Sequence, residues 1–388
     1  MKIAMVGPFG FHPKKTMHSR ALSLARELVA LGHEVAMFMP PWHTPDEADR
    51  RWQEDGVSVR YVPLGGGVLG ITARLLREML AWQPDVVHCF KPKAYSGLVA
   101  WWLWHFHRRR IRLVVDTDDW EGWGGWNDLD PYSPLQKRFF AWQEQWGMRH
   151  CHVLTVASRA LQSIAWSMGI ARGRVVYLPN GSGIEKQKTE NRKQKTGNGG
   201  EATILLYSRL FEFDTGRLVA ILAGVKTAVS HLKTLSVGVG LHDDDATTFR
   251  QQLADVGLLD SLIDVGWVET EELPQVLTRA DVGIYLMDDT LLNRTKCPVK
   301  LADMAALGIP VVGEDVGQVS EYVVNGRSGF LYPTGDIDGI TAGLIQLLTN
   351  ALLREQFAQE AITHMATNFA WAHQALQLEH AYQTTSFT

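Results

Sequence analysis

The segment Lys296-Cys-Pro-Val-Lys-Leu-Ala-Asp303-Met-Ala-Ala-Leu-Gly308-Ile-Pro310-Val-Val312, running on to Gly317, Glu321 and Gly326, restricts the fold more than any other. It reads as a loop, a helix, a tight turn and a buried strand. Pro298 suits a first helical turn, where its missing N–H would have no partner. Leu301, Met304, Ala305 and Leu307 give one apolar face, Gly308 ends the helix as a C′ glycine, and Ile309-Pro310-Val311-Val312 opens a strand. Such a helix start carries unpaired N–H groups and the positive dipole end, a seat for phosphate. Lys296 and Lys300 flank it, and Asp303, one turn on, can accept two hydroxyl hydrogen bonds. An ordinary helix–strand unit with solvated lysines fits the same residues.

The alternation recurs along the chain. A strand over 3–6 ends at Gly7-Pro-Phe-Gly10, where two glycines permit close backbone approach. A helix turns Ala21, Leu22, Leu24, Ala25, Leu28 and Leu31 inward and stops at Gly32, and a strand over 34–39 completes a βαβ unit. The loop lacks GxGxxG, which argues against a dinucleotide cofactor. Strands follow over 57–62, 86–90, 112–116, 153–158 and 174–181, then over 203–210, 235–239 and 263–265. A chain of 388 residues makes two domains. The Lys/Gln/Asn/Gly-rich stretch 185–200 has no apolar period and predicts a flexible linker. The expected divisions are 1–182, a linker over 183–200, 201–365, and a closing helix over 366–388.

A net charge of −4 argues against nucleic acid as a partner. Cys89, Cys151 and Cys297 show no zinc or disulfide spacing and fit a reducing cytosol. No apolar run is long enough for a membrane span or signal peptide, so a cytoplasmic protein is expected, soluble or peripheral at the inner membrane face. Twelve of the fourteen tryptophans precede residue 170. The stretch Trp101-Trp-Leu-Trp-His-Phe-His-Arg108-Arg-Arg-Ile-Arg112 is aromatic, then basic. It fits a core helix with a solvated end, or an interfacial contact of the N-terminal domain with anionic lipid.

The strand over 112–116 runs into Asp116-Thr-Asp118-Asp119-Trp120-Glu121-Gly122. Strand ends of open α/β sheets are ligand sites. Asp116, Asp118 and Asp119 can hold sugar hydroxyls or act as bases, and the Trp120 face suits the C–H face of a sugar. The structural alternative is that these acids cap a helix and pair with Arg138 or Arg149.

The segment around Asp303 resembles the donor-binding segment of the family 4 glycosyltransferases, retaining enzymes of the GT-B fold. Their pattern has two acids eight positions apart, then a small-residue helix and Gly-x-Pro-Val-Val. Asp303 matches the second acid, Gly308-Ile-Pro310-Val-Val312 the end, and Thr295 replaces the first acid. The match continues through Asp264-Val-Gly266-Trp267-Val268 and Ala280-Asp281-Val282, and through Gly317, Glu321, Asn325-Gly326, Gly329 and Gly335-Asp336. Thr203-Ile-Leu-Leu-Tyr-Ser208-Arg209-Leu210 is similar to the strand ending in Gly-Arg-Leu, and Pro179-Asn180-Gly181 to the domain-exit turn.

The resemblance implies an α/β protein of two Rossmann-like domains facing a central cleft, with the last helix packing back on the first domain. It implies a nucleoside-diphosphate sugar (UDP or GDP) as co-substrate, no other cofactor and no metal. Gly7, Gly10, Arg209, Trp267, Val268, Lys296, Pro298, Val299, Lys300, Leu301 and Asp303 would bind the donor, with Trp267 and Val268 at the base and Asp303 on the ribose. Arg209 and Lys300 would neutralise the leaving phosphate. Thr117 or Asp118 stands where many relatives have a histidine near the reacting sugar, so the role of that histidine does not carry over, and Asp118 is the expected catalytic carboxylate. The acceptor, a hydroxyl of a glycan, lipid-linked or small molecule, would meet Asp116, Asp118, Asp119 and Trp120. The lysine that usually follows Arg209 is absent. That departure, with Thr295 and the missing histidine, leaves a silent nucleotide-sugar-binding or scaffold protein, or an epimerase or hydrolase of the same fold, as alternatives.

Overall fold

Short strands buried on both faces build two sheets, as parallel βαβ connections require. The computed structural model describes residues 1–12, 16–184, 201–238, 240 and 244–384. Most of the expected linker, 185–200, lies outside them, as do Val239 and residues 385–388. The chain divides into two units: Met1–Asn180 with Thr295–Cys297 and Trp371–Thr388, and Gly181–Arg294 with Pro298–Ala370. The three residues 295–297 belong to the first unit, a division no composition signal marks.

In the first unit the strands are β1 (Lys2–Val6), β2 (Glu34–Met39), β3 (Arg51–Glu54), β4 (Val57–Tyr61), β5 (Val86–Phe90), β6 (Arg112–Thr117), β7 (Val153–Val156) and β8 (Val175–Tyr177). Their order is β3-β4-β2-β1-β5-β6-β7-β8, parallel except for β3–β4. That hairpin closes on Asp55 (φ 49°) and Gly56 (φ 81°), the two left-handed residues a tight hairpin turn needs. The chain reverses its direction of travel across the sheet between β1 and β5, so their C-terminal ends flank the switch point.

The helix after β1 opens with a wide turn, Met17–Leu22, then continues as Ser23–Ala30. Its apolar residues are buried as the periodicity predicts, except Leu31, which is 38 % exposed at the end. The Trp371–Thr384 helix packs on this one, placing Ala375, Leu378 and Tyr382 in the same core.

The second unit holds β9 (Ala202–Tyr207), β10 (Leu232–Val237), β11 (Leu262–Gly266), β12 (Val282–Tyr285), β13 (Val311–Glu314) and β14 (Gly329–Tyr332). They are ordered β11-β10-β9-β12-β13-β14, each neighbouring pair parallel, with the switch point between β9 and β12. Gly308, φ 63°, ends the Val299–Ala306 helix, and the Ile309 N–H returns to the Met304 carbonyl at 2.8 Å.

Tyr382 anchors the last helix by its hydroxyl, 2.8 Å from His88 Nδ1. His88 Nε2 lies 3.2 Å from Thr155 Oγ1, which donates to Asp116 at 2.6 Å. That order of donors makes His88 the Nε2–H tautomer accepting from Tyr382. Burial, then Arg20, holds its pKa well below the usual imidazole value, so the ring is neutral. Tyr382→Phe strands a buried acceptor and should cost about 1–2 kcal/mol in denaturant unfolding. An unchanged midpoint would remove this bond from the account.

Candidate active site

Two groups of charged side chains gather at the C-terminal ends of β5 and β6. The deeper is a bidentate pair. Arg20 Nε donates to Asp116 Oδ1 at 2.9 Å and Nη2 to Oδ2 at 2.7 Å, while Nη1 reaches Asn180 Oδ1 at 2.9 Å. Burial works to lower the Arg20 pKa, but Asp116 more than offsets it and the guanidinium stays charged. Asp116 is fully buried. With both oxygens engaged it faces the sheet rather than an acceptor, a correction to its expected role.

The outer group centres on Lys91, whose backbone sits at φ 46°, an uncommon conformation for a residue with a side chain. Its Nζ lies 2.9 Å from Asp118, 3.3 Å from Asp119 and 3.1 Å from Glu121. Lys93 Nζ meets Glu121 at 2.7 Å and Asp130 at 3.5 Å, over the ring of Tyr132. The partners of these acids are therefore two lysines from the β5 loop, not Arg138 or Arg149. The place a cation would take among the acids is held by Lys91.

Asp118, buried, also accepts from Thr16 Oγ1 at 3.1 Å. Asp119 is the half-buried member, and its pKa is raised by burial despite Lys91. Burial alone would raise Glu121, but Lys91 and Lys93 pull it down to about 2. Trp120 is 6 % exposed, part of the core, with its indole N–H on the Trp123 carbonyl. Its expected sugar contact is corrected to packing. Gly7 and Gly10 abut the side chains of Met17 and Tyr61, so here they serve close packing. Lys296, expected beside Lys300, lies in the first unit, 5.4 Å above the Trp126 ring and within electrostatic reach of Asp119.

In the second unit a recess opens at the β9/β12 switch point, lined by Tyr207, Ser208, Glu212, Tyr285, Leu286 and Lys300 among others. Lys300 rises from the first turn of the Val299–Ala306 helix, its Nζ 5.3 Å above the Tyr207 ring. Pro298 is the N-cap, and its carbonyl receives the Leu301 N–H. Leu301 is fully buried, a core residue rather than a ligand contact. Asp303 Oδ1 accepts from Ser182 Oγ at 2.9 Å and Gly183 N at 3.1 Å, so one oxygen is committed to the protein. Burial pushes its pKa up to about 6 against those two bonds.

Arg209 leaves the end of β9 exposed, its guanidinium 6.0 Å from the Phe211 ring. Ser208 Oγ accepts the Leu210 N–H at 3.0 Å, which braces that turn where the family pattern has glycine. Trp267 is 55 % exposed and donates to Glu269 at 3.0 Å, with Val268 half-buried beside it. Sequence reasoning missed Glu314, a fully buried carboxylate. It accepts from Met287 N at 2.7 Å, Gly335 N at 2.8 Å and Arg217 Nη2 at 3.0 Å, tying together the loops after β12, β13 and β14. One acid in a generic strand carries no spacing signal.

Glu144 is buried beside the Lys91 group, accepts the Glu121 N–H at 2.9 Å, and has its pKa raised from 4.5 to about 8, mainly by burial. The folded state holds this proton where the unfolded chain has lost it, so stability falls as pH rises from 4.5 to about 8 and levels off above. Glutamine does not titrate. The melting temperature of Glu144→Gln relative to the parent should therefore climb across that window and then flatten, read by calorimetry in a pH series. A difference independent of pH would show that Glu144 is ionised in the fold.

The description "Glycosyl transferase 4-like domain" matches residues 16–181, and "Glycosyl transferases group 1" matches residues 187–364. A phosphatidyl-myo-inositol mannosyltransferase of Mycobacterium leprae is 24 % identical over 396 residues, spanning 100 % of this chain and 97 % of that protein. A GDP-mannose-dependent alpha-mannosyltransferase of Mycobacterium tuberculosis is 24 % identical over 87 % of this chain and 85 % of its own. The crystal structure of Anabaena HepE with UDP and glucose superposes with a TM-score of 0.70 at 17 % identity, over 98 % of each chain. With these matches spanning both units, the chain belongs to the family 4-type glycosyltransferases of the GT-B fold, and it is an enzyme of that kind.

Proposed function

We propose that the protein moves a hexosyl group from a nucleoside-diphosphate sugar to a hydroxyl acceptor, with retention at the anomeric carbon and no cofactor beyond the sugar nucleotide. The observation that carries this reading is the recess at the β9/β12 switch point, with Lys300 in its wall and the N-terminal end of the Val299–Ala306 helix beside it. As the bond from the anomeric carbon to the phosphate oxygen breaks, negative charge grows on the leaving diphosphate. A helix N-terminus, the Lys300 ammonium and the planar fork of Arg209 oppose that charge with groups already in position. The acceptor oxygen forms the new bond, and its proton leaves on the departing phosphate.

Asp303 Oδ1 is held by Ser182 and Gly183, so Oδ2 serves a ribose hydroxyl. Trp267, more than half exposed, offers its indole face to the base. On the first unit Asp119 is the acceptor-side carboxylate: it is the least buried of the acids on Lys91, whereas Asp118 also accepts from Thr16. The GDP-mannose in the name of the Mycobacterium tuberculosis relative and the UDP in HepE put guanosine and uridine diphosphates first in the search.

The test is a thermal-shift screen of nucleoside diphosphates, because a ligand that binds only the folded state raises its melting temperature. A base-selective shift should be lost in Arg209→Ala and Asp303→Ala. With the matching sugar nucleotide, Lys300→Ala should lower kcat by about 100-fold or more, and NMR should find the donor's anomeric configuration in the product. No shift with any nucleotide would sink the donor assignment.

A further inference from the structure

The Pro134–Arg149 helix buries Gln143 and Glu144 beside Ala141 and Met148 and leaves large apolar residues exposed on its other face. Gln143 is buried and bonds both backbone groups of Ala94, at 2.8 and 3.1 Å, and Glu144 beside it holds the Glu121 N–H. On the opposite side Leu135 is 76 %, Phe139 40 % and Trp142 46 % exposed. Aromatic rings continue the stripe. Phe139 stacks on Trp142 at 5.8 Å, Trp142 meets Trp146 at 6.1 Å, and Trp146 stacks on His105 of the Ala94–Phe106 helix at 5.7 Å. That second helix adds Trp101, and Phe106 at 62 % exposure.

On these two helices and the turn that follows Phe106, the exposed charge has one sign. Residues 94–112 and 134–149 contain Arg108, Arg109, Arg110, Lys137, Arg138 and Arg149 among their bases, and Glu144, buried, is the one acid. The chain as a whole is −4, so this face is basic against an acidic mean. Exposed large apolar residues in a contiguous stripe mark an interaction surface. A second copy is a poor occupant, because a two-fold contact would set one basic patch against the other. Trp, Phe and Leu ringed by arginine match a bilayer interface, with its apolar boundary under anionic headgroups.

We infer that this face docks the protein on an anionic lipid bilayer, with Leu135, Phe139 and Trp142 entering the headgroup–acyl boundary and the arginines meeting lipid phosphates. The inference uses no residue of the donor recess, so its failure would leave the transfer reading intact.

The experiment is co-sedimentation of the full chain with phosphatidylcholine vesicles, with and without phosphatidylglycerol. Binding should need the anionic lipid and weaken with salt. Arg138→Glu with Arg149→Glu should weaken it at least about tenfold. Phe139→Gln with Trp142→Gln should abolish it, while the melting temperature and any nucleotide-induced shift stay at parent values, since both side chains lie outside the core. Three results would overturn the inference: no binding to anionic vesicles, binding indifferent to both double variants, or a concentration-dependent dimer in the parent that the variants dissolve.

Discussion

The buried Arg20–Asp116 pair is the constraint on which the first unit turns. One guanidinium from the helix after β1 bridges the end of β6 and, through Asn180, the segment that leaves the unit. Asn180 in turn donates its side-chain amide to the Cys297 carbonyl at 2.8 Å, while Ser158 Oγ donates to the Thr295 carbonyl at 2.7 Å. Residues 295–297 are thus held by the same region that Arg20 organises. A charge this deep is tolerable only with its hydrogen bonds complete, and loss of either partner leaves an ion stranded in low dielectric. The Thr155–His88–Tyr382 chain completes them on the Asp116 side and extends the same network to the last helix.

Above that pair, the Lys91 cluster trades backbone strain for electrostatics. The positive φ at Lys91, repeated at Ala94 (φ 51°), turns the loop so that Lys91 and Lys93 both point into the acids that follow β6. The two cations keep Glu121 ionised, while burial, with the Glu121 charge nearby, raises the Glu144 pKa to about 8. Asp119 is less enclosed than Asp118 or Glu121, and burial raises its pKa although Lys91 lies 3.3 Å away. Four acids close in sequence therefore sit differently: Asp116 pairs with Arg20, Asp118, Asp119 and Glu121 share Lys91, and Glu121 also holds Lys93.

The fold was legible because its determinants are local. Buried aliphatic runs of four to six residues, Gly32 and Gly308 as helix stops, and the alternation of strand and helix are each set by near neighbours. The Asp55-Gly56 turn was equally local and went unread because the flanking β3 is polar and short. The site was legible only where a segment carries its own geometry, as the helix start at Pro298–Lys300 does. It was illegible where a role depends on a partner far along the chain. Arg20 and Asp116 are 96 positions apart, and Lys91 reaches Asp119 across 28. No periodicity links such pairs, so Asp116 and Trp120 read as ligand contacts when they are supports.

The two units solve opposite electrostatic problems. In the first, the charge at the ends of β5 and β6 is neutralised inside the fold, and one outer face is aromatic and basic. In the second, the switch-point recess keeps Lys300 in its wall and Arg209 exposed on the adjoining turn, while Glu314 and Arg217 below it neutralise each other and fix three loops. Glu314 is bound to two backbone amides as well as to Arg217, and Asp303 is bound to Ser182 and Gly183. Donors fixed in this way at a strand end would need little rearrangement to meet an anion, which is the condition under which electrostatic stabilisation of a leaving group is strongest.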